Sequence, residues 1–169
     1  MSQPAKKSRK AERTRRALNL ESLESRTNPT ITITLPADPA DPLVITGDNN
    51  AESIWIRQFS GPPSAINVFY RSATLFDVEG WSGLISRDLF TGIQINTFAG
   101  NDYIDVRSGV FLNRFPNQGS VPLSENTTIL GGIGNDNIYG GALTDDIDGE
   151  SGNDRIYGNE GADTLRGGS

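Results

Sequence analysis

The chain has neither cysteine nor histidine among its 169 residues, and only one methionine. Without cysteine there can be no disulfide framework and no thiolate metal site. Without histidine there is no imidazole base, which excludes Ser-His-Asp and Cys-His catalysis and HExxH zinc sites. Only carboxylates, lysine and tyrosine remain as acid–base groups. Apolar residues make up 35% of the chain, too few for a broad isotropic core but enough for a thin core beneath many turns. No apolar run approaches the ~20 residues of a membrane span. The N-terminus also lacks the ~7–15-residue apolar stretch of a secretory signal peptide.

Charge is unevenly spread. Residues 1–30 carry eight Lys/Arg and three Glu, whereas residues 31–169 carry seven Arg and eighteen acids. The basic head, residues 1–29, has helix formers from Lys10 to Glu24 but few apolar residues (Ala17, Leu18, Leu20, Leu23). It reads as a disordered or transiently helical segment that ends at Asn28-Pro29. Reading it as a nucleic-acid tail is set aside in favour of an export segment, and no nucleic-acid partner is expected.

From Thr30 the text becomes β-rich. Thr30–Leu35 alternates strictly, and Leu43–Thr46, Ser53–Gln58, Ile66–Arg71, Thr74–Val78, Ile93–Thr97 and Tyr103–Arg107 are short runs rich in β-branched and aromatic residues. Residues 30–127 thus form a degenerate β-repeat region, with a loop expected over 108–126. Two stretches inside it already share a pattern: in GDNNAESIW (Gly47–Trp55) and TFAGNDYID (Thr97–Asp105) the sixth residue is acidic (Glu52, Asp102) and the eighth is isoleucine.

Residues 128–169 make the pattern strict. From Gly131 the chain reads GGIGNDNIY, GGALTDDID, GESGNDRIY, GNEGADTLR and then GGS. Eleven of these thirty-nine residues are glycine. Glycine tolerates the positive φ of a sharp turn, and the three residues that follow suffice for a very short strand. Alternation in that strand points the eighth residue inward; here these are Ile138, Ile147, Ile156 and Leu165. Two units make an eighteen-residue coil, and stacked coils lie ~4.8 Å apart. Stacking brings Asp136 to Asp154 on one side and Asp145 to Asp163 on the other. Like charges so placed repel unless a cation lies between them. Calcium suits such a place, since it accepts six to eight oxygen ligands in flexible geometry, while Mg2+ demands a tight octahedron.

The array resembles the calcium-binding nonapeptide repeats of the repeats-in-toxin family, pattern G-G-x-G-x-D-x-U-x. The resemblance implies an all-β, right-handed parallel β-roll (a β-helix of short strands) with Ca2+ between turns one coil apart. It also implies two ligand sets. The first joins Asp136 and Asp154 with the carbonyls of Gly131, Gly132, Ile133, Gly134, Gly149, Glu150, Ser151 and Gly152. The second joins Asp145 and Asp163 with those of Gly140, Gly141, Ala142, Leu143, Gly158, Asn159, Glu160 and Gly161. Leu143, Glu150 and Asn159 stand where the family has glycine. The head's LNLESLESRTNPT resembles the signal-like segment that opens many large bacterial surface proteins, with Ser25 in place of that segment's proline.

The reading is therefore a non-enzymatic, structural calcium-binding module of an exported or cell-surface bacterial protein, with calcium ions and cell-envelope components or extracellular polysaccharide as partners. The end at GGS reads as a cut from a longer product. The competing reading is a carbohydrate-binding or carbohydrate-active β-helix. It would draw on Trp55, Tyr70 and Trp81 as a sugar strip, and on Asp77/Glu79 or Asp145/Asp146/Asp148 as paired carboxylates.

Overall fold

The structure is a computed structural model that describes residues 31–59, 65–72, 79–82, 84–107 and 120–169. The basic head and the expected strand Thr74–Val78 lie outside the described residues. Fourteen strands are described: β1 Thr32–Thr34, β2 Leu43–Thr46, β3 Glu52–Phe59, β4 Ala65–Ser72, β5 Glu79–Trp81, β6 Ile85–Ser86, β7 Ile93–Asn96, β8 Tyr103–Asp105, β9 Ser120–Val121, β10 Thr127–Leu130, β11 Asn137–Tyr139, β12 Asp145–Asp148, β13 Arg155–Tyr157 and β14 Thr164–Arg166. A single 3-10 turn, Arg87–Leu89, is the only helical element among the described residues. The chain is all-β there, as its short β-rich runs suggested.

The strands form two sheets, ordered β1-β2-β7-β10-β12-β14 and β13-β11-β8-β3-β4-β5. The chain passes from one sheet to the other at each glycine-rich turn, so that β2 and β3, β7 and β8, β10 and β11, and β12 and β13 make successive coils. Between coils the pairing is parallel: β2 with β7, β7 with β10, β10 with β12 and β12 with β14 in one sheet, and β3 with β8, β8 with β11 and β11 with β13 in the other.

The sheets are mixed, where the sequence suggested parallel pairing throughout. Antiparallel strands close the N-terminal end. β1 covers the outer edge of β2, and β4, with β5 beyond it, covers the full outer edge of β3. An uncovered edge of unpaired N–H and C=O groups would template further pairing, and these strands cover the edges of β2 and β3. β9 has a different origin. β3 has eight residues but β8 only three, so Gln58 and Phe59 run past β8 and pair with Val121 and Ser120. The expected loop over 108–126 therefore contains a strand at its far end.

The core is a pair of aliphatic columns, one per sheet. Ile45, Ile95, Ile129 and Ile147 follow one another in register, as do Ile54, Ile104 and Ile138. All seven are fully buried. Isoleucine fits this place because its branched side chain packs well on a pleated surface. The columns thin out at the other end, where Leu165 is 47% exposed. A coil gains its apolar burial from its neighbours, so stability decreases along the chain toward β14.

Candidate metal centre

The sixth residue of each unit sits where the turn enters a strand, and in alternate units that strand belongs to the second sheet. The register of β3, β8, β11 and β13 places Glu52, Asp102, Asp136 and Asp154 in successive coils, one residue before the paired segments. Hydrogen bonds then join them as a ladder. The backbone N–H of Glu52 donates to Asp102 Oδ1 (2.7 Å), that of Asp102 to Asp136 Oδ1 (2.8 Å), and that of Asp136 to Asp154 Oδ1 (2.9 Å). Glu52, Asp102 and Asp136 are buried, at 2%, 0% and 1% exposure.

One oxygen of Asp102, Asp136 and Asp154 is thereby used, and Glu52 Oε1 accepts the Asp48 N–H (3.3 Å) instead. The other has no partner: Glu52 Oε2, Asp102 Oδ2, Asp136 Oδ2 and Asp154 Oδ2 are all buried and lack a hydrogen-bond donor. An orphaned buried carboxylate oxygen is costly. Four in one column call for a proton or a cation. Burial is the chief cause that raises the pKa of Glu52 to about 9, Asp102 to about 7 and Asp136 to about 6; their acidic neighbours add to it, and backbone donors, joined at Asp102 by the Thr97 hydroxyl, oppose it.

Glycine makes the room. An ideal Cβ on Gly131 would lie 2.6 Å from Asp136 Oδ2 and 3.1 Å from the Gly149 carbonyl oxygen of the next coil. A carboxylate oxygen and a carbonyl oxygen thus converge on the space that the missing side chain leaves. Gly149 bears the same relation to Asp154.

The other side of the stack repeats this incompletely. The Asp145 N–H donates to Asp163 Oδ1 (3.0 Å), and Asp145 Oδ2 and the Gly158 carbonyl converge beside Gly140. Yet Asp145 has a full set of donors. Its Oδ1 accepts from the Thr127 N–H (3.1 Å) and hydroxyl (2.6 Å), and its Oδ2 from the Gly141 N–H (2.6 Å). Burial raises its pKa and these donors counter the rise. The two sites that the repeat makes look alike therefore differ: the Asp136–Asp154 side has unmet oxygens and the Asp145 carboxylate has none.

The turn carbonyls divide as well. Those of Gly132, Ile133, Glu150 and Ser151 accept N–H groups of Ser151, Gly100, Ser169 and Gly134 in turns one coil away. Gly131 O accepts the Thr97 hydroxyl (2.7 Å), and Gly140 O the Asn159 side-chain amide (2.9 Å). The carbonyls of Gly134 and Leu143 face Gly152 and Gly161 of the following coil so closely that neither glycine could carry a Cβ. Ala142, Asn159 and Glu160 lie in the turns of the second side. Of all these carbonyls, Gly149 and Gly158 are the ones that meet a carboxylate oxygen beside a glycine.

Among the described residues no three His, Cys, Asp or Glu side chains gather as a metal-holding group. Carboxylates alone would not complete a coordination sphere, and backbone oxygens must do so. That is the oxygen-only donor set suited to a hard cation.

The paired carboxylates of the competing reading come apart. Asp145 faces the core, while Asp146 and Asp148 face outward and are bridged by Arg166 at 2.5 and 2.9 Å. Arg166 also holds the Asp148 carboxyl below its usual range. Asp77 and the Glu79 and Trp81 side chains lie outside the described set. Trp55 joins a ladder of rings with Tyr103, Tyr139 and Tyr157, whose last two stack at 4.9 Å. The other two pairs are tilted by 44° and 47°, and the Arg107 guanidinium lies over the Tyr139 ring, so the rings do not form one flat strip. Tyr70 is half-buried and takes no part in that ladder.

The raised pKa values carry a pH dependence. A carboxyl that binds its proton more tightly when folded stabilises the fold below its unfolded pKa, and that stability is lost as pH rises through the folded value. The window here runs from about 4 to about 9. The metal-free chain is expected to unfold at progressively lower urea concentration from pH 5 to pH 9. A midpoint that rises over that range would contradict the ladder of protonated acids.

Residues 124–142 and 141–169 match the RTX calcium-binding nonapeptide repeat family (4 copies), about a quarter of the chain. Comparison with curated proteins and with solved structures found no match. The C-terminal units are thus nonapeptide repeats of the RTX type, and Ca2+ is the cofactor of that repeat. No described helix is long and apolar enough to cross a membrane.

Proposed function

We propose that residues 128–169 form a right-handed parallel β-roll that takes up Ca2+ between coils and becomes rigid on doing so, as a structural module of an exported or cell-surface protein. The observation that carries this reading is the pair of orphaned, buried oxygens on Asp136 and Asp154, in adjacent coils, with the Gly149 carbonyl beside them. Bound Ca2+ would supply positive charge where these oxygens have no donor. Asp136 and Asp154 would hold it with Gly149 and the neighbouring turn carbonyls of the 131–134 and 149–152 set. Asp145 and Asp163, with Gly158 and the 140–143 and 158–161 carbonyls, would form a weaker second site, because the Thr127 and Gly141 donors already serve Asp145.

The chain's own residues set the rest. The glycines bend it and leave the space, the aspartate N–H groups lock neighbouring carboxylates in place, and the aliphatic columns bury the coil. Where no site exists before folding, binding free energy becomes folding free energy. Calcium is scarce inside cells and about millimolar outside, so such a module stays loose during synthesis and stiffens after export. This is the support for placing it outside the cell.

The test is a double-mutant cycle read by calcium titration. Asp136→Asn and Asp154→Asn should each weaken binding by at least ~10-fold, and the double variant should lose little more than either single, since one loss already breaks the shared site. Fully additive losses would mean that the two aspartates do not share an ion.

A further inference from the structure

The acid column does not stop where the regular repeats begin. Its N-terminal end comprises Glu52 and Asp102, both outside the matched repeat segment, with Asp48 in the preceding turn. Glu52 Oε2 and Asp102 Oδ2 are buried and unpartnered, on residues 2% and 0% exposed. Asp48 lies within hydrogen-bonding reach of the Glu52 side chain, and its backbone N–H donates to Glu52 Oε1 (3.3 Å). The charges acting most on Glu52 are Asp102 and Asp48, and those acting most on Asp102 are Asp136 and Asp48; all are negative.

Gly47 leaves space here as Gly131 does further on: an ideal Cβ on it would lie 2.5 Å from Glu52 Oε2. The glutamate's extra methylene carries its carboxylate back over this turn. The gap between Asp102 and Asp136 is different. Thr97 stands there in the first position of its unit, and its hydroxyl donates to Gly131 O, the counterpart of the Gly149 carbonyl. A neutral hydroxyl thus fills the place that glycine leaves open in the coils on either side.

We infer that the acid column has a second cation position at its N-terminal end, between the orphaned oxygens of Glu52 and Asp102, with the Asp48 charge beside it, and separated from the Asp136–Asp154 position by Thr97. Its oxygen-only donors suit a hard divalent ion, and Ca2+ is the one to try. The choice of ion rests on the calcium reading of the C-terminal repeats; the position itself rests on residues those repeats do not include. Such an ion would tie β3 to β8 across the insertion at 60–92, where the chain leaves the coil and returns.

The test uses the full chain stripped of metal, with calcium bound at saturation measured by equilibrium dialysis and the β signal followed in parallel. Glu52→Gln should bind one ion fewer than the parent chain, Asp136→Asn one ion fewer for its own reason, and the double variant two fewer. Asp48→Asn, which changes a partly exposed turn residue, should weaken the same ion as Glu52→Gln and serves as the deciding variant if Glu52→Gln loses its β signal. An unchanged count and affinity in Glu52→Gln and Asp48→Asn, beside a loss in Asp136→Asn, overturns this proposal and leaves the C-terminal reading standing. A loss in Glu52→Gln with none in Asp136→Asn supports this proposal and sinks the C-terminal site instead.

Discussion

Calcium added to the metal-stripped chain at pH 8 is expected to raise its thermal midpoint by several degrees and to increase its β-sheet circular dichroism, while Mg2+ at equal concentration does far less. At pH 8 the Asp136 and Asp102 carboxyls are largely ionised, given pKa values of about 6 and about 7. The metal-free column then holds buried negative charge with no donor for one oxygen of each acid. A cation removes that penalty only in the folded state, because the unfolded chain does not bring Asp136 to Asp154. One site filled at about 100 times its Kd contributes ~2.7 kcal/mol, a large share of the stability of a slim domain. Mg2+ is disfavoured because the donors are two carboxylates and turn carbonyls fixed by inter-coil hydrogen bonds, which cannot contract into a tight octahedron. The increment should shrink at pH 5, where protons already occupy part of the column. An equal response to both ions at every pH would show general charge screening and remove the case for a built site.

Much of this was legible in the sequence because a strict period translates directly into register. The aliphatic eighth positions Ile138, Ile147 and Ile156 lie in the core columns, and Leu43–Thr46 is a strand with the expected bounds. The sequence placed Asp136 with Asp154 and Asp145 with Asp163, and the hydrogen bonds do the same. What it could not show is the length of the column. Glu52 and Asp102 hold the sixth place in their units, but inserted segments separate them from the next acid. Only backbone pairing across those inserts reveals that the four acids share one line. Nor could it show that the two aspartate pairs differ. Thr127 belongs to no glycine-rich unit, yet β10 lies in register with β12 and sets its hydroxyl on Asp145. The antiparallel cover of β3 was hidden for a related reason. Ile66–Arg71 reads as a strand in either direction, and its direction depends on which edge is left open.

Substituting the fourth-position glycines should have the largest effect on the fold itself. Gly134 and Gly152 have φ of +157° and +137°, in a region that L side chains rarely enter. An added Cβ would fall on a backbone oxygen of the preceding coil, that of Gly100 for Gly134 and that of Gly134 for Gly152. Neither turn can swing away, because the Gly134 N–H is bonded to Ser151 O at 2.8 Å and the Gly152 N–H to Ser169 O at 3.1 Å. Backbone strain of ~1–2 kcal/mol and overpacking of ~1–3 kcal/mol then combine. Gly134→Ala is expected to cost ~2–5 kcal/mol, enough to separate the coils after β11 from those before it. Gly152→Ala, closer to the thin end, should release fewer contacts and cost less. Gly167 is the internal control: a Cβ there would meet nothing within 4 Å, so Gly167→Ala should change stability by less than ~0.5 kcal/mol. Leu143 occupies the same fourth place on the other side of the stack without a positive φ, and its side chain is 41% exposed. The rule therefore follows from the local turn rather than from the motif letter, and Leu143→Gly should not stabilise the chain. Urea midpoints for the four variants, with and without calcium, decide the matter. A Gly134→Ala chain as stable as its parent in both conditions would mean that the turns of adjacent coils do not stack as closely as the fold requires.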